Sequence, residues 1–203
     1  MTKPTPQEIK DVMLSKGMKV FSAPFDMTLG GIRTSDNAAD TFNDWLFMLY
    51  HDKTGKLCGI IEKGTTDAGL FYRLNPMHID GTAIIQHDVQ HMGVYEYQNP
   101  KIDGKRGHRG QEAFRQIKQM WYLRDVNRDK YLDFDGEEQF DIFNTNGHDM
   151  GTRGVTVGKN SAGCWGSTTF IMDKFYAHAI LQEANGHGNK FSFAMLWEKT
   201  FKV

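Results

Sequence analysis

Between residues 19 and 145 the chain is cut into short apolar and aromatic runs, each closed by turn-forming residues, and that rhythm limits what it can fold into. Strand-like runs fall at 18–21, 27–33, 44–51, 57–63, 82–86, 93–98, 112–118, 120–124 and 139–144. Gly30-Gly31, the stretch from Asp52 to Gly55, Asn99-Pro100 and Asp103-Gly104 punctuate them. Many short strands at this spacing predict a curved sheet, a sandwich or a barrel.

Two segments follow a helical rhythm instead. In 5–16, Thr5 can cap, Pro6 suits the first helical position and Glu8 completes a capping box. Ile9, Val12 and Met13 share a face, and Gly17 stops the helix. In 168–184, Ser167 or Thr168 can cap, Ile171, Phe175, Ala179 and Leu181 follow helical spacing, and Asn185-Gly186 closes the segment. A last strand is expected at 190–196. The expected fold class is α+β, mainly β, as one domain over residues 1–203. It is a sandwich or barrel with an N-terminal helical segment (1–18) and a helix after the cysteine loop.

Charge excludes some functions. The 24 Lys and Arg almost cancel the 25 Asp and Glu, which does not suit a nucleic-acid partner. No run approaches membrane-spanning length, and the opening MTKPTPQEIK has no apolar signal core. The expectation is a soluble chain made in the cytoplasm, which needs delivery if its substrate lies outside.

The two cysteines exclude a disulfide framework. Cys58, inside an apolar run, reads as a small buried hydrophobe. Cys164 sits in Ser161-Ala162-Gly163-Cys164-Trp165-Gly166, where small neighbours leave a thiol reachable. A thiol becomes a nucleophile when a base takes its proton and the backbone leaves room for attack. Gly163 gives that room, nearby amides can stabilise an oxyanion, and Ser161 can orient a base or substrate by hydrogen bonding. A helix following the loop would favour a thiolate through its dipole. His148, at the end of an expected strand 140–148, is the candidate base. The bland alternative is an inert thiol in a glycine-rich turn.

The Ser161-Ala162-Gly163-Cys164 loop, preceded by a strand ending in His148, resembles the catalytic signature of the L,D-transpeptidase family. Supporting stretches are Leu74-Asn75-Pro76-Met77, Gly81-Thr82-Ala83-Ile84, Gly107-His108-Arg109-Gly110, the run from Arg124 to Asp129, and Lys159-Asn160 before the loop. They look like a phage and bacterial branch of proteins carrying such a domain, and the resemblance spans about residues 20–180. It implies a mostly β catalytic domain acting on peptidoglycan peptides. Cys164 would form a thioester, His148 would serve as base and then acid, and water or an amine would resolve the intermediate. No cofactor is required. Lack of an export signal fits a phage lysis or virion enzyme better than a housekeeping synthase. The chain departs from the family at Ala162, where a histidine is usual, and at Trp165-Gly166, where an arginine is usual. The interval from His148 to Ser161 is also short, so Asn146 can align at the base position, with His87 or His91 borrowed as base. A non-catalytic virion or cell-wall-binding module that keeps the fold is the alternative.

Three further signals stand apart from the cysteine. Asp125, Asn127, Asp129 and Asp133 place oxygen ligands at alternate positions, as a calcium loop begins. Lys130 and Gly136 occupy positions where such a loop wants Gly and Glu, and an acidic hairpin turn explains the same residues. His87 and His91 have zinc-protease spacing, but their flanks favour a loop between strands over the helix that chemistry needs. The basic stretch 101–109 reads as a solvated hairpin loop or as a contact for an anionic polymer.

Overall fold

The structure is a computed structural model that describes residues 1–36, 40–152 and 155–201. It is mainly β, as expected. The strands are β1 (Thr28–Arg33), β2 (Asp44–His51), β3 (Leu57–Gly64), β4 (Thr82–Ile85), β5 (Val89–Gln98) and β6 (Ala113–Gln116). They continue with β7 (Met120–Asp125), β8 (Glu138–Asp141), β9 (Gly147–Asp149), β10 (Trp165–Ser167) and β11 (Lys190–Trp197). The helices are α1 (Pro6–Ser15), α2 (Leu70–Leu74) and α3 (Thr169–Ala184), and a 3-10 turn covers Glu198–Phe201.

Eight strands form one sheet in the order β10-β9-β6-β5-β11-β1-β2-β3. Its two edges meet. The Thr65 N–H donates to the Gly166 carbonyl at 2.8 Å, and the Gly166 N–H returns to the Thr65 carbonyl at 2.9 Å. The result is a nearly closed barrel, which pairs the edges a flat sheet would leave open. Strands β4, β7 and β8 form a separate three-stranded sheet.

Alternation along β2 explains the two faces. Leu46 and Met48 face the main core with Leu29, Phe114, Trp165 and Phe193, while Trp45, Phe47 and Leu49 face a second cluster under α1. Helix α1 closes that second cluster with Ile9 and Met13, and its Thr5–Glu8 capping box is formed. Gly30 is required at the crossing of the two, because a Cβ there would lie 2.3 Å from both the Ala194 carbonyl and the Phe47 ring. Helix α3 buries Met172, Phe175, Tyr176 and Ala179 in the main core. The buried stripe is therefore turned one position from the expected one, and Ile171 and Leu181 lie at its margins. No described helix is long and apolar enough to cross a membrane.

Three expectations need correction. Residues 18–21 form no strand, since the Lys19 N–H and carbonyl both bond the Gln90 side chain and not a neighbouring strand. The run 139–144 ends at Asp141, and the chain then turns through Asn144 at φ +58°. The expected strand 140–148 is thus two strands, β8 in the small sheet and β9 in the barrel. That crossing brings the 142–146 segment over the barrel end where the cysteine lies.

Candidate active site

The cysteine loop is held from within. Ser161 Oγ accepts from the Gly163 N–H at 3.1 Å and donates to the Cys164 carbonyl at 2.7 Å. Ser161 is fully buried, so its hydroxyl closes the loop and does not reach a base or substrate. Gly163 has φ +124°, and a Cβ there would lie 2.9 Å from the Ala83 carbonyl, so the position needs glycine. Trp165 anchors the loop from the other side, fully buried against Phe114, Phe193 and Tyr95.

The Cys164 sulfur accepts from the Asn146 N–H at 3.4 Å and donates toward the Asn144 carbonyl at 3.7 Å. It also lines a cavity of about 500 Å³. One ring nitrogen of His108, one of His148 and this sulfur all lie within 4.8 Å of one another. Strand pairing explains part of this: β10 lies parallel to β9, with Trp165 opposite Gly147 and Gly166 opposite His148. His148 is therefore the imidazole that the barrel itself delivers beside the thiol. Asn146 contributes its backbone to the sulfur, and its amide cannot serve as a base. His87 packs on Trp197 and Phe134, His91 lies in β5, and neither lines this cavity.

Tautomers follow from the partners. A carbonyl only accepts, so the 2.7 Å contact of His148 Nδ1 with the Asp149 carbonyl puts the ring proton on Nδ1. Nε2 keeps a free lone pair, and it is buried without a hydrogen-bond partner. His108 is the reverse. Its Nδ1 accepts from the Asn146 side-chain amide at 3.1 Å, so its proton sits on Nε2.

Burial dominates the electrostatics. It pushes the Cys164 thiol up to about 11, with the Asn146 N–H and Arg109 offsetting only part of that. It also lowers His148 below the usual imidazole value, against the opposing pull of the Asp149 carbonyl, and it lowers His108 to about 4. The resting site is a neutral thiol beside a neutral imidazole. Cys164 is not in the first turn of α3, because the three residues of β10 stand between them.

The cavity wall holds what the sequence reading missed. Arg106, Arg109, Arg115 and Arg124 all line it, and among the described residues no carboxylate does. Arg124 is fixed by the Gln139 side chain at 2.8 Å and the Gly81 carbonyl at 3.1 Å, over the Phe143 ring. Arg115 bonds the Gly107 carbonyl and the Asn144 side chain. Among the described residues none of the four forms an ion pair with a carboxylate. The visible signal was the basic stretch 101–109, which is largely exposed as a solvated loop, with Arg106, His108 and Arg109 at its end lining the cavity.

Two groups invite a metal reading. His108, His148 and Cys164 are close enough, but the two rings stack 4.0 Å apart and 6° from parallel. Lone pairs in parallel planes do not converge on one tetrahedral ion without ring rotation. In the acidic loop, Asn127 bonds both Asp129 and Asp133, which brings those three together. Asp125 points elsewhere, to the buried guanidinium of Arg73 at 2.8 Å.

Comparison of the chain with protein-family models, with curated proteins and with solved structures gives no match.

Proposed function

We propose that this protein is a cysteine-dependent acyl-transfer enzyme acting on carboxylate-bearing peptides, with peptidoglycan stem peptides as the substrate class. The observation that carries the reading is the Cys164 sulfur, at the wall of a cavity, grouped with a ring nitrogen of the buried His148, whose Nε2 has a free lone pair. The likeness of the Ser161-Ala162-Gly163-Cys164 loop to the L,D-transpeptidase signature supports peptidoglycan. The four arginines, none in an ion pair among the described residues, support a substrate with carboxylates, because guanidinium groups pair with them in two-pronged fashion.

The chemistry runs from the neutral pair. As the sulfur attacks the amide carbonyl carbon, Nε2 of His148 takes the thiol proton. The resulting imidazolium is stabilised by its Nδ1–H bond to the Asp149 carbonyl. When the C–N bond breaks, the same proton passes to the leaving amine, and a thioester remains on Cys164. Water or an acceptor amine then gives its proton to Nε2 and attacks the thioester, restoring the thiol. A general-base route suits a thiol whose burial holds it protonated.

The test is incubation with isolated stem peptides, followed by intact-mass analysis. An acyl adduct on the protein, lost in Cys164→Ala together with product, is the expected result. Peptide cleavage that persists in Cys164→Ala would remove the sulfur from the mechanism. The raised thiol favours one second reading, a wall-binding module without turnover. Binding of peptidoglycan unchanged by Cys164→Ala, with no adduct in either protein, would select it.

A further inference from the structure

His108 lies forty residues before the base, in the segment joining β5 to β6, yet its ring lies flat against His148. The centroids are 4.0 Å apart and the planes 6° from parallel. The loop that presents it is stiff. The His108 N–H bonds the Gln111 carbonyl at 2.8 Å, and the Gln111 N–H returns to the His108 carbonyl at 2.9 Å. Gly107 at φ +55° fits beneath this turn, where a Cβ would lie 2.0 Å from the Gln111 carbonyl. The Gly107 N–H also bonds the Gln98 side chain at 3.1 Å.

The ring is then clamped at its tip. Asn146 donates its amide to His108 Nδ1 and receives the Gln116 N–H on its own Oδ1 at 2.9 Å, which fixes the amide's orientation. The same residue's backbone N–H holds the Cys164 sulfur. Asn146 therefore ties the nucleophile and the stacked ring to one point. His108 lines the cavity, whereas His148 is buried and does not.

We infer that His108 is a positioning residue of this site: clamped by Asn146, its ring covers one face of His148, keeps bulk water off that face, and holds the imidazole aimed at the Cys164 sulfur. The inference rests on the acyl-transfer reading for its catalytic meaning. Its structural content, control of the His148 ring, does not. The charged and titratable groups around His148 are Arg109, Asp149, Cys164 and His108 itself, with Arg115 acting on His108. Uncovering the ring lets water solvate the imidazolium, so protonation of His148 becomes easier.

The experiment uses the full chain with imidazole nitrogens labelled, and His148 is assigned by the signal lost in His148→Gln. In His108→Ala the His148 titration midpoint should rise by about one pH unit, while His108→Phe, which keeps a stacked ring, should leave it near the wild-type value. With stem peptide as substrate, the acid limb of kcat/KM should move with the same midpoint. In His108→Ala kcat should fall at least about tenfold with less change in KM, and His108→Phe should recover most of it. Should His108→Ala fail to fold, His108→Gln, which offers Asn146 an acceptor but no ring, takes its place. A His148 midpoint unmoved by loss of the ring overturns the inference. So does a His108→Phe protein as impaired as the ringless variant. The nitrogen spectra need no substrate, so a wild-type protein inactive on peptides, with the shift still seen in His108→Ala, would sink the acyl-transfer reading alone.

Discussion

His148 is fixed by its own chain neighbour, since its Nδ1–H donates to the Asp149 carbonyl at 2.7 Å and leaves Nε2 as the only basic atom of the ring. Burial lowers this imidazole below 6.5 and pushes the Cys164 thiol up to about 11. The sign of each shift sets the pH profile. Activity requires neutral His148, so kcat/KM should rise as pH climbs through a midpoint below 6.5. It should then stay level between about pH 7 and pH 10, because the thiol remains protonated and needs its base. Alkylation of Cys164 by iodoacetamide should climb toward pH 11 without a plateau near neutrality. A plateau at pH 6–7 would reveal a preformed thiolate–imidazolium pair and defeat the neutral-pair mechanism.

Much of the barrel was legible because apolar runs and the turn formers that close them are local signals. Strand β2 was read at its observed limits as an apolar and aromatic run closed by the turn after His51, and α1 was bounded by its capping box. Strands β9 and β10 were not read as such, since three residues such as Trp165-Gly166-Ser167 carry no pattern, and pairing across the barrel decides them. Cys164 and His148 were visible because their chemistry is rare and their spacing short. His108, Arg115 and Arg124 were not assigned, because only the fold of the loop after β5 and the crossing from β8 to β9 brings them to the sulfur. Ser161 was visible, but its role was misread: a hydroxyl close to a nucleophile in sequence spends its bonds closing the turn.

Gly147 and Trp165 interlock beneath the site. A Cβ on Gly147 would lie 2.0 Å from the indole of Trp165, which is fully buried next to Cys164. Gly147→Ala should therefore lose about 1–3 kcal/mol in urea denaturation. It should also lower activity, because the displaced indole carries the cysteine loop with it. The double variant Gly147→Ala with Trp165→Phe should cost less than the sum of the two single changes. Additive costs would mean that the indole and the new methyl do not compete for space.

Asp44, the first residue of β2, ties the residue that follows β1 to the segment that follows β3. Its Oδ1 accepts from the Thr34 N–H at 2.8 Å and its hydroxyl at 3.2 Å, and its Oδ2 accepts from the Thr66 N–H at 2.9 Å and its hydroxyl at 2.7 Å. The carboxylate is almost wholly buried. Asp44→Ala strands two backbone donors and should cost about 2–4 kcal/mol. Asp44→Asn keeps an acceptor for one threonine and should cost less. A thermal midpoint unchanged in Asp44→Ala would show that water replaces the carboxylate without loss.

The arginine wall makes the last prediction, and it is a prediction about binding. Arg124 is hydrogen-bonded by neutral partners, the Gln139 side chain and the Gly81 carbonyl, and Asp80 acts on it only through space with no ion pair among the described residues, so its guanidinium can still pair with a carboxylate. A substrate carboxylate meeting it would form a charge-assisted bond worth about 1.5–3 kcal/mol. Arg124→Gln should then raise KM for a stem peptide about tenfold or more with little change in kcat, since the contact is present in ground and transition states alike. Comparison with Arg106→Gln, Arg109→Gln and Arg115→Gln assigns each carboxylate. Amidating the carboxylate that a given arginine meets should cost the wild-type protein as much as losing that arginine, and cost the variant nothing more. Rising salt should weaken the peptide in the wild type more than in any variant. Peptides amidated at every carboxylate that turn over as well as the free acids, in the wild type and in all four variants, would show that the cavity does not select its substrate by charge.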